Sequence, residues 1–495
     1  MTTQSAPHIH RWRAFAVLAV SFFMTIVDLT IVNVSLPTIG RALHFSESNL
    51  QWVVTAYAIT FGGFLLLGGR AADLLGRRRI LMLGLAIFTA ASLGAGLARS
   101  DGLLIALRGL QGFGAAVVLP AALSIVMNMF TEGAERNKAL GAWGGIGAFG
   151  ATFGLITGGL LTRYVGWEYI FFLNVPVGAA ALLLAPRIVP ESRLAGVRRR
   201  FDPLGAVTVT GGLLLLVYAI SNAPHAGWGS ARTVTLLAVS AALLLAFLVV
   251  EARAAAPLMP LRIFRLRMVA VSNAVGLLLG GSFFAFIFIG TLYMQQVLHY
   301  SALQAGTAWL ATSLTSVALA GAAQKLVTVI SAGPVMAAGM ALIGGGILWA
   351  TQVPVDGHFW SALAGPFFVT GAGTAFAFVP VSIGGLTGVA KHEAGLASGL
   401  INTSQQLGGA IGVAIASTVA ATRFGTLLGG GKPANVALTG GFHWALWVCG
   451  AIALIALPAT ATLLLRPRPA PAFPGDHLEA LQVAETTHQI KETVR

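Results

Sequence analysis

Apolar residues in this chain come in long unbroken runs, without the two-residue alternation of half-buried strands. The runs fall at roughly 14–37, 51–71, 80–98, 102–127, 139–162, 169–189, 203–222, 233–250, 268–292, 303–323, 332–352, 359–385, 394–420 and 441–465. A hydrocarbon core about 30 Å thick takes roughly 20 apolar helical residues. The pattern therefore predicts an all-α membrane protein with fourteen transmembrane helices. Glycines inside the runs read as points of close helix approach. The first run follows Arg11 and Arg13 and continues to Pro37. A secretory signal has an apolar region of only about 7–15 residues, so this run is expected to be a retained first helix.

An internal repeat organises the spans. Ser21–Thr30 and Ser282–Thr291 agree at half their positions. Gly112, Gly114 and Pro120 of span 4 match Gly371, Gly373 and Pro380 of span 12. Glu135, Ala139, Gly141, Gly150 and Gly154 match Glu393, Ala397, Gly399, Gly408 and Gly412. Membrane transporters are commonly built from such repeats. The expected domains are a six-helix bundle (1–190), a linker with two inserted spans (191–266), a second six-helix bundle (267–465) and a flexible, Pro-rich tail (466–495).

Composition narrows the class. Of 495 residues, 56% are apolar and 9% charged, with mean hydropathy +0.83. Soluble chains are about one-quarter charged. A soluble globular protein, a disordered chain and a nucleic-acid binder are thereby excluded. The net charge of +14 is mostly a topology signal. Twenty-three of the 30 lysines and arginines fall in one set of alternating loops and six in the other, with Arg108 inside a span. By the positive-inside rule both termini are cytoplasmic. Arg198–Arg200 also offer a basic patch to lipid headgroups. The single cysteine, Cys449, excludes an intrachain disulfide.

Asp28 and Arg108 are the charged residues well inside spans, and the repeat sets Ile289 and Phe367 opposite them. A charge at the centre of a span costs about 2.5–3.5 kcal/mol on insertion scales, so it needs a partner or a use. At 1.5 Å per residue, Asp28 lies about 21 Å from the cytoplasmic edge and Arg108 about 9 Å from the outer edge. The two depths coincide, so the pair can meet. Asp28 reads either as a structural carboxylate neutralised by Arg108 or as a proton carrier. Arg108 reads as a snorkelling residue or as the group that holds Asp28 ionised. Gln111, one turn deeper, extends the network.

Thr30, Asn33, Tyr57, Gln111, Asn402, Gln405 and Gln406 are polar span residues suited either to a substrate cavity or to interhelical hydrogen bonds. In the loop after span 2, Gly69, Asp73, Gly76 and Arg77 form a Gly-Asp-Gly-Arg pattern. Gly76 permits a tight turn, and Asp73 is placed to pair with arginine or face a helix N-terminus, as a latch. The matching loop near 324–334 has Lys325 and no aspartate. Gly150, Gly154, Gly158 and Gly159 make a small-residue surface for helix packing or for sliding between bundles. The sequence holds no metal-ligand cluster, Walker loop or nucleophile–base pair, and its Gly-x-Gly-x-x-Gly patterns lie inside spans. No enzyme, metal or cofactor is expected, and uphill work must draw on an ion gradient.

Val27–Pro37 resembles the first-helix signature of the fourteen-span drug:proton antiporters of the major facilitator superfamily. The 69–79 loop, Arg108–Gly112 and Gly154–Gly159 resemble the superfamily's cytoplasmic-loop, fourth-helix and fifth-helix motifs. Trp167–Pro176 adds a further family-like stretch. The resemblance implies proton-driven export by alternating access, with Asp28 and Arg108 in coupling and Asp73 and Arg77 in the cytoplasmic gate. It also implies amphipathic, often cationic, drug-like cargo. Two positions depart from the family pattern. Leu155 stands where a proline usually follows the glycine, and Trp167-Glu168-Tyr169 replaces Trp-Arg-Trp.

The expectation is a monomeric inner-membrane multidrug exporter whose partners are small molecules, protons and the bilayer. The alternatives are an exporter of one metabolite or antibiotic, an uptake symporter, and a sensor or scaffold that moves nothing.

Overall fold

A computed structural model describes residues 8–45, 50, 52–130, 134–191, 202–254, 257–390 and 393–464. The tail after 465 and the Arg198–Arg200 patch lie outside the described residues. Among the described residues every regular element is helical, and fourteen helices are long and apolar enough to cross a bilayer. They are α1 (His8–Ala42), α2 (Trp52–Leu75), α3 (Arg77–Gly96), α4 (Asp101–Met129), α5 (Ala134–Tyr164) and α6 (Tyr169–Ile188). Next come α7 (Pro203–Ala226), α8 (Ala231–Arg253), α9 (Arg267–Gln296) and α10 (Leu303–Ile330). The last are α11 (Ala332–Ala350), α12 (Phe359–Gly384), α13 (Ala394–Gly429) and α14 (Ala434–Leu464).

Helices α1 and α13 run further than their apolar runs. The first begins in a polar N-terminal segment and passes through Pro37 to Ala42, and α13 continues nine residues past 420 to Gly429. Hydropathy marks the segment that lipid tolerates, whereas backbone hydrogen bonding carries a helix beyond it. Pro120, Pro380 and Pro458 sit inside helices. Neighbouring helices tolerate such breaks at membrane depth. The connections stop on local chemistry: Ser100 accepts the amide of Leu103, and Ser301 with Gln304 closes a capping box.

The repeat is visible in the packing. Gly114 lets α4 approach Gly84 and Phe88 of α3, and Gly373 lets α12 approach Gly339 and Ile343 of α11. Helices α7 and α8 pack on each other, and α7 lies across α2 and α13. Leu214 and Val217 of α7 fill the space left by Gly63 and Gly62 on α2. Tyr218 stacks on Trp52, and Trp228 Nε1 donates to Thr418 Oγ1 of α13 at 2.8 Å. The inserted pair therefore covers the seam where α2 meets α13.

Candidate functional site

The site grows from α1 and α4, whose interiors carry the buried charges. Asp28 and Arg108 are fully buried. Arg108 Nη1 donates to Asp28 Oδ2 at 2.6 Å and to Gln111 Oε1 at 3.0 Å, while Nε donates to the Val53 carbonyl at 2.9 Å. The second Asp28 oxygen accepts from Gln111 Nε2 at 3.2 Å and Asn174 Nδ2 at 2.7 Å. Gln111 Nε2 also donates to Ser92 Oγ at 2.7 Å. Every partner of Asp28 is a donor, the set a carboxylate satisfies best.

Aromatic faces complete the enclosure. The guanidinium carbon lies 4.4 Å from the Tyr57 ring centroid and 5.8 Å from that of Phe171. Tyr57 is itself buried, and its hydroxyl donates to the Thr25 carbonyl at 3.3 Å. Removing one partner of such a buried pair leaves an uncompensated charge and costs about 3–5 kcal/mol.

At the repeat-related place in the other half the chemistry is inverted. Phe367, in the position of Arg108, stacks on Trp309 at 4.3 Å, and Phe286 meets both rings edge-on at 5.6 and 5.2 Å. Ile289, in the position of Asp28, is fully buried. One half carries a buried charge pair and the other an aromatic plug.

A second cluster lies at the end of the fold that carries the basic loops. Gly76, at φ 108, lets α2 turn directly into α3. Arg77 Nη2 donates to Asp73 Oδ1 at 2.8 Å. Across the seam, Asp73 accepts the amides of Gly395 and Leu396 at 3.3 and 3.1 Å. These are the first turn of α13, so the carboxylate sits on a helix N-terminus. A Cβ on Gly69 would stand 2.5 Å from the Gly395 carbonyl oxygen, so glycine permits this approach. The neighbouring arginines are also occupied. Arg70 donates to the Pro257 carbonyl, Arg78 donates to the carbonyls of Pro186 and Val189, and Arg262 pairs with Glu393 at 2.8 Å.

The remaining predicted residues scatter. Thr30 donates to its own helix at Ile26 and Val27 and lies against Gly154. Gln405 is buried where α13 crosses Gly280 of α9. Asn402 is half-buried and bonds the Ser398 carbonyl of its own helix, and Gln406 is half-buried. The Asn33 side chain lies outside the described residues. Gly150, Gly154 and Gly158 pack on Phe23, Ile26, Val27, Thr30 and Ile31 of α1, within the first half. The contacts with the second half come instead from Gly141, Gly144 and Gly145, facing Gln324, Val379 and Ala320, and from Gly159, facing Leu303. Among the described residues, no group of three His, Cys, Asp or Glu could hold a metal ion.

Sequence reasoning missed Asn174, Ser92 and Phe171 as parts of the charge network. For Asn174 and Phe171 the signal was the polar and aromatic content of 167–176, which the chain folds back into the bundle after Gly166 at φ 144; Ser92, on α3, carried none.

The architecture is a bundle of fourteen long apolar helices. Its fold matches the human organic anion transporter MFSD10 (TETRAN), with TM-score 0.66, 16% identity and coverage of 91% of this chain and 99% of that one. It also matches the proton:xylose symporter XylE, with TM-score 0.63, 15% identity and coverage of 93% and 97%. At these identities the likeness shows the fold. The sequence shows the family: the Major Facilitator Superfamily model matches residues 18–413 and 275–491, and the chain belongs to that superfamily. Among its relatives is the cephamycin export protein CmcT of Amycolatopsis lactamdurans, 39% identical over 86% of this chain and 87% of the relative. The puromycin resistance protein pur8 of Streptomyces alboniger is 38% identical over 83% and 82%. The multidrug resistance protein Stp of Mycobacterium tuberculosis is 34% identical over 81% and 74%.

Proposed function

We propose that this transporter exports amphipathic, hydrophobic or cationic small molecules, antibiotics among them, in exchange for protons. The reading rests on one observation: a fully buried carboxylate, Asp28, held by Arg108 and two side-chain amides in one half of the fold. The aromatic cluster at the related place offers no group that binds a proton. The names of the relatives support drug export as the direction of transport.

In this cycle Asp28 takes up a proton from the outer side, and its oxygen no longer balances the guanidinium. Arg108 and its amide partners rearrange, the halves rock, and the proton leaves to the cytoplasm as cargo binds. One proton enters and one leaves per turn, and the gradient, not a cofactor, supplies the energy. The Asp73–Arg77 cluster on the α13 N-terminus acts as the latch of the cytoplasmic gate. Opening requires Asp73 to leave two backbone amides. Both termini then lie in the cytoplasm, in the inner membrane of the cell, and a single copy contains the whole site.

The test is transport by purified protein in liposomes with an imposed pH gradient, with ethidium and puromycin as probes. Proton-driven movement of either, abolished by a protonophore, is expected. A wild-type protein that moves neither probe overturns the reading.

A further inference from the structure

The chain between α8 and α9 passes beside the Asp73 cluster. Its stretch 257–266 carries a 3₁₀ turn (Leu261–Arg265) and leads directly into α9 of the second half. Leu258, Met259 and Ile263 are buried, so the stretch is seated in the protein. Pro257 offers its carbonyl to Arg70 Nη2 at 3.0 Å, and Arg262 pairs with Glu393 at 2.8 Å. Arg70 stands one turn before Asp73 on α2, and Glu393 directly precedes the first turn of α13. The stretch is therefore tied down on both sides of the bonds that Asp73 makes to Gly395 and Leu396.

The two ties differ. Arg262, Glu393 and the chain entering α9 belong to the second half, so that ion pair survives when the halves part. Arg70 belongs to the first half, and its bond to Pro257 crosses the seam.

Glu251, in the last turn of α8, sets the position of the Pro257 carbonyl. Its buried carboxylate accepts the Leu258 amide on Oε1 and the Met259 amide on Oε2, each at 3.1 Å. Two amides on one ionised group fix both the place and the direction of the backbone that follows Pro257. Gly205, in the first turn of α7, leaves the room for this: a Cβ there would stand 2.7 Å from Glu251 Oε1. One carboxylate thus joins the start of α7, the end of α8 and the chain leading to α9.

We propose that 257–266 is a strap by which the inserted helices restrain opening of the cytoplasmic gate, with Arg70 and Glu251 as its positioning residues. The inference rests on the gate reading above and gives α7 and α8 a part in it. Glu251 fixes the carbonyl, Arg70 reaches it from across the seam, and opening breaks that bond along with those of Asp73.

The test is the distance between spin labels at Leu75→Cys and Thr387→Cys, both exposed at the basic end, on full-length protein in liposomes. The background is Cys449→Ala. Arg70→Ala removes a charge-assisted hydrogen bond, so the open-to-closed ratio should rise about tenfold. Glu251→Ala should raise it by about as much, and the double variant no further, because both act on one bond. Glu251→Gln keeps one acceptor and should fall between. Arg70→Lys keeps a cationic donor and should return the ratio to within about threefold of the parent. Arg253→Ala, exposed at the end of α8, is the charge control and should change nothing. Conversely, joining Arg70→Cys to Pro257→Cys with a short bifunctional methanethiosulfonate should suppress the open population, and reduction should restore it.

Parent distances in Arg70→Ala or in Glu251→Ala overturn the proposal, even where Tm falls, since Glu251 is then packing alone. Multiplying effects in the double variant overturn it, as does Arg253→Ala acting as strongly as Arg70→Ala. An undiminished open population in the linked protein does so too. Asp73→Asn, run alongside, separates the two readings. If it opens the gate and the strap variants do not, the strap alone falls; if it leaves the distances unchanged, the gate reading itself fails.

Discussion

Replacing Asp73 by asparagine should open the gate at the basic end. Asp73 accepts the amides of Gly395 and Leu396 and the Arg77 guanidinium, so its charge is spent across the seam and beside it. An anion on a helix N-terminus contributes about 0.3–1 kcal/mol, and up to about 2 when partly buried. Charge-assisted hydrogen bonds contribute about 1.5–3 kcal/mol. Asparagine keeps one acceptor oxygen but turns its NH2 toward other donors. A loss of about 2 kcal/mol from the closed state alone moves the closed-to-open ratio roughly 30-fold. The readout is the distance between spin labels at Leu75→Cys and Thr387→Cys, both exposed at the basic end, in a Cys449→Ala background. Asp73→Asn should add a longer-distance population absent or minor in the parent. A distribution shifted less than threefold would refute the assignment of the cross-seam bonds as the latch.

Two further substitutions probe the packing and the network. Gly154→Ala places a methyl against Thr30 and within 2.7 Å of the Val27 carbonyl oxygen, so it should cost about 1–3 kcal/mol, read as a lower Tm in detergent. Gly425→Ala, with no atom within 4 Å, is the matched control and should be neutral. Asn174→Leu removes the 2.7 Å donor to Asp28 and should slow proton-driven transport about tenfold while the protein still folds. Transport at the wild-type rate would leave Asn174 outside the coupling network.

Much of the fold was legible because lipid imposes it. A run of about 20 apolar residues has one outcome, and an aspartate or arginine inside one is conspicuous. Depth arithmetic alone brought Asp28 and Arg108 to the same height, and the structure joins them at 2.6 Å. What sequence could not supply was azimuth. A helix that is apolar all round carries no marker of which face meets which neighbour. Thr30 and Gln405 therefore turn into helix seams, and the Gly150–Gly158 face packs on α1. Asn174 was missed for another reason. It is an ordinary polar residue until the turn at Gly166 returns the chain to Asp28. The Asp73 motif pointed to an arginine or a helix N-terminus as its partner, but the helix it meets, the first turn of α13, lies more than 300 residues away.

Proton exchange at Asp28 is the claim on which the account stands, and proton release measures it most directly. Purified protein in a weakly buffered solution with a pH indicator is mixed with a compound it transports. Wild type should release about one proton per compound bound, and Asp28→Asn, shown to be folded, should release none. Equal release from both proteins would contradict the assignment.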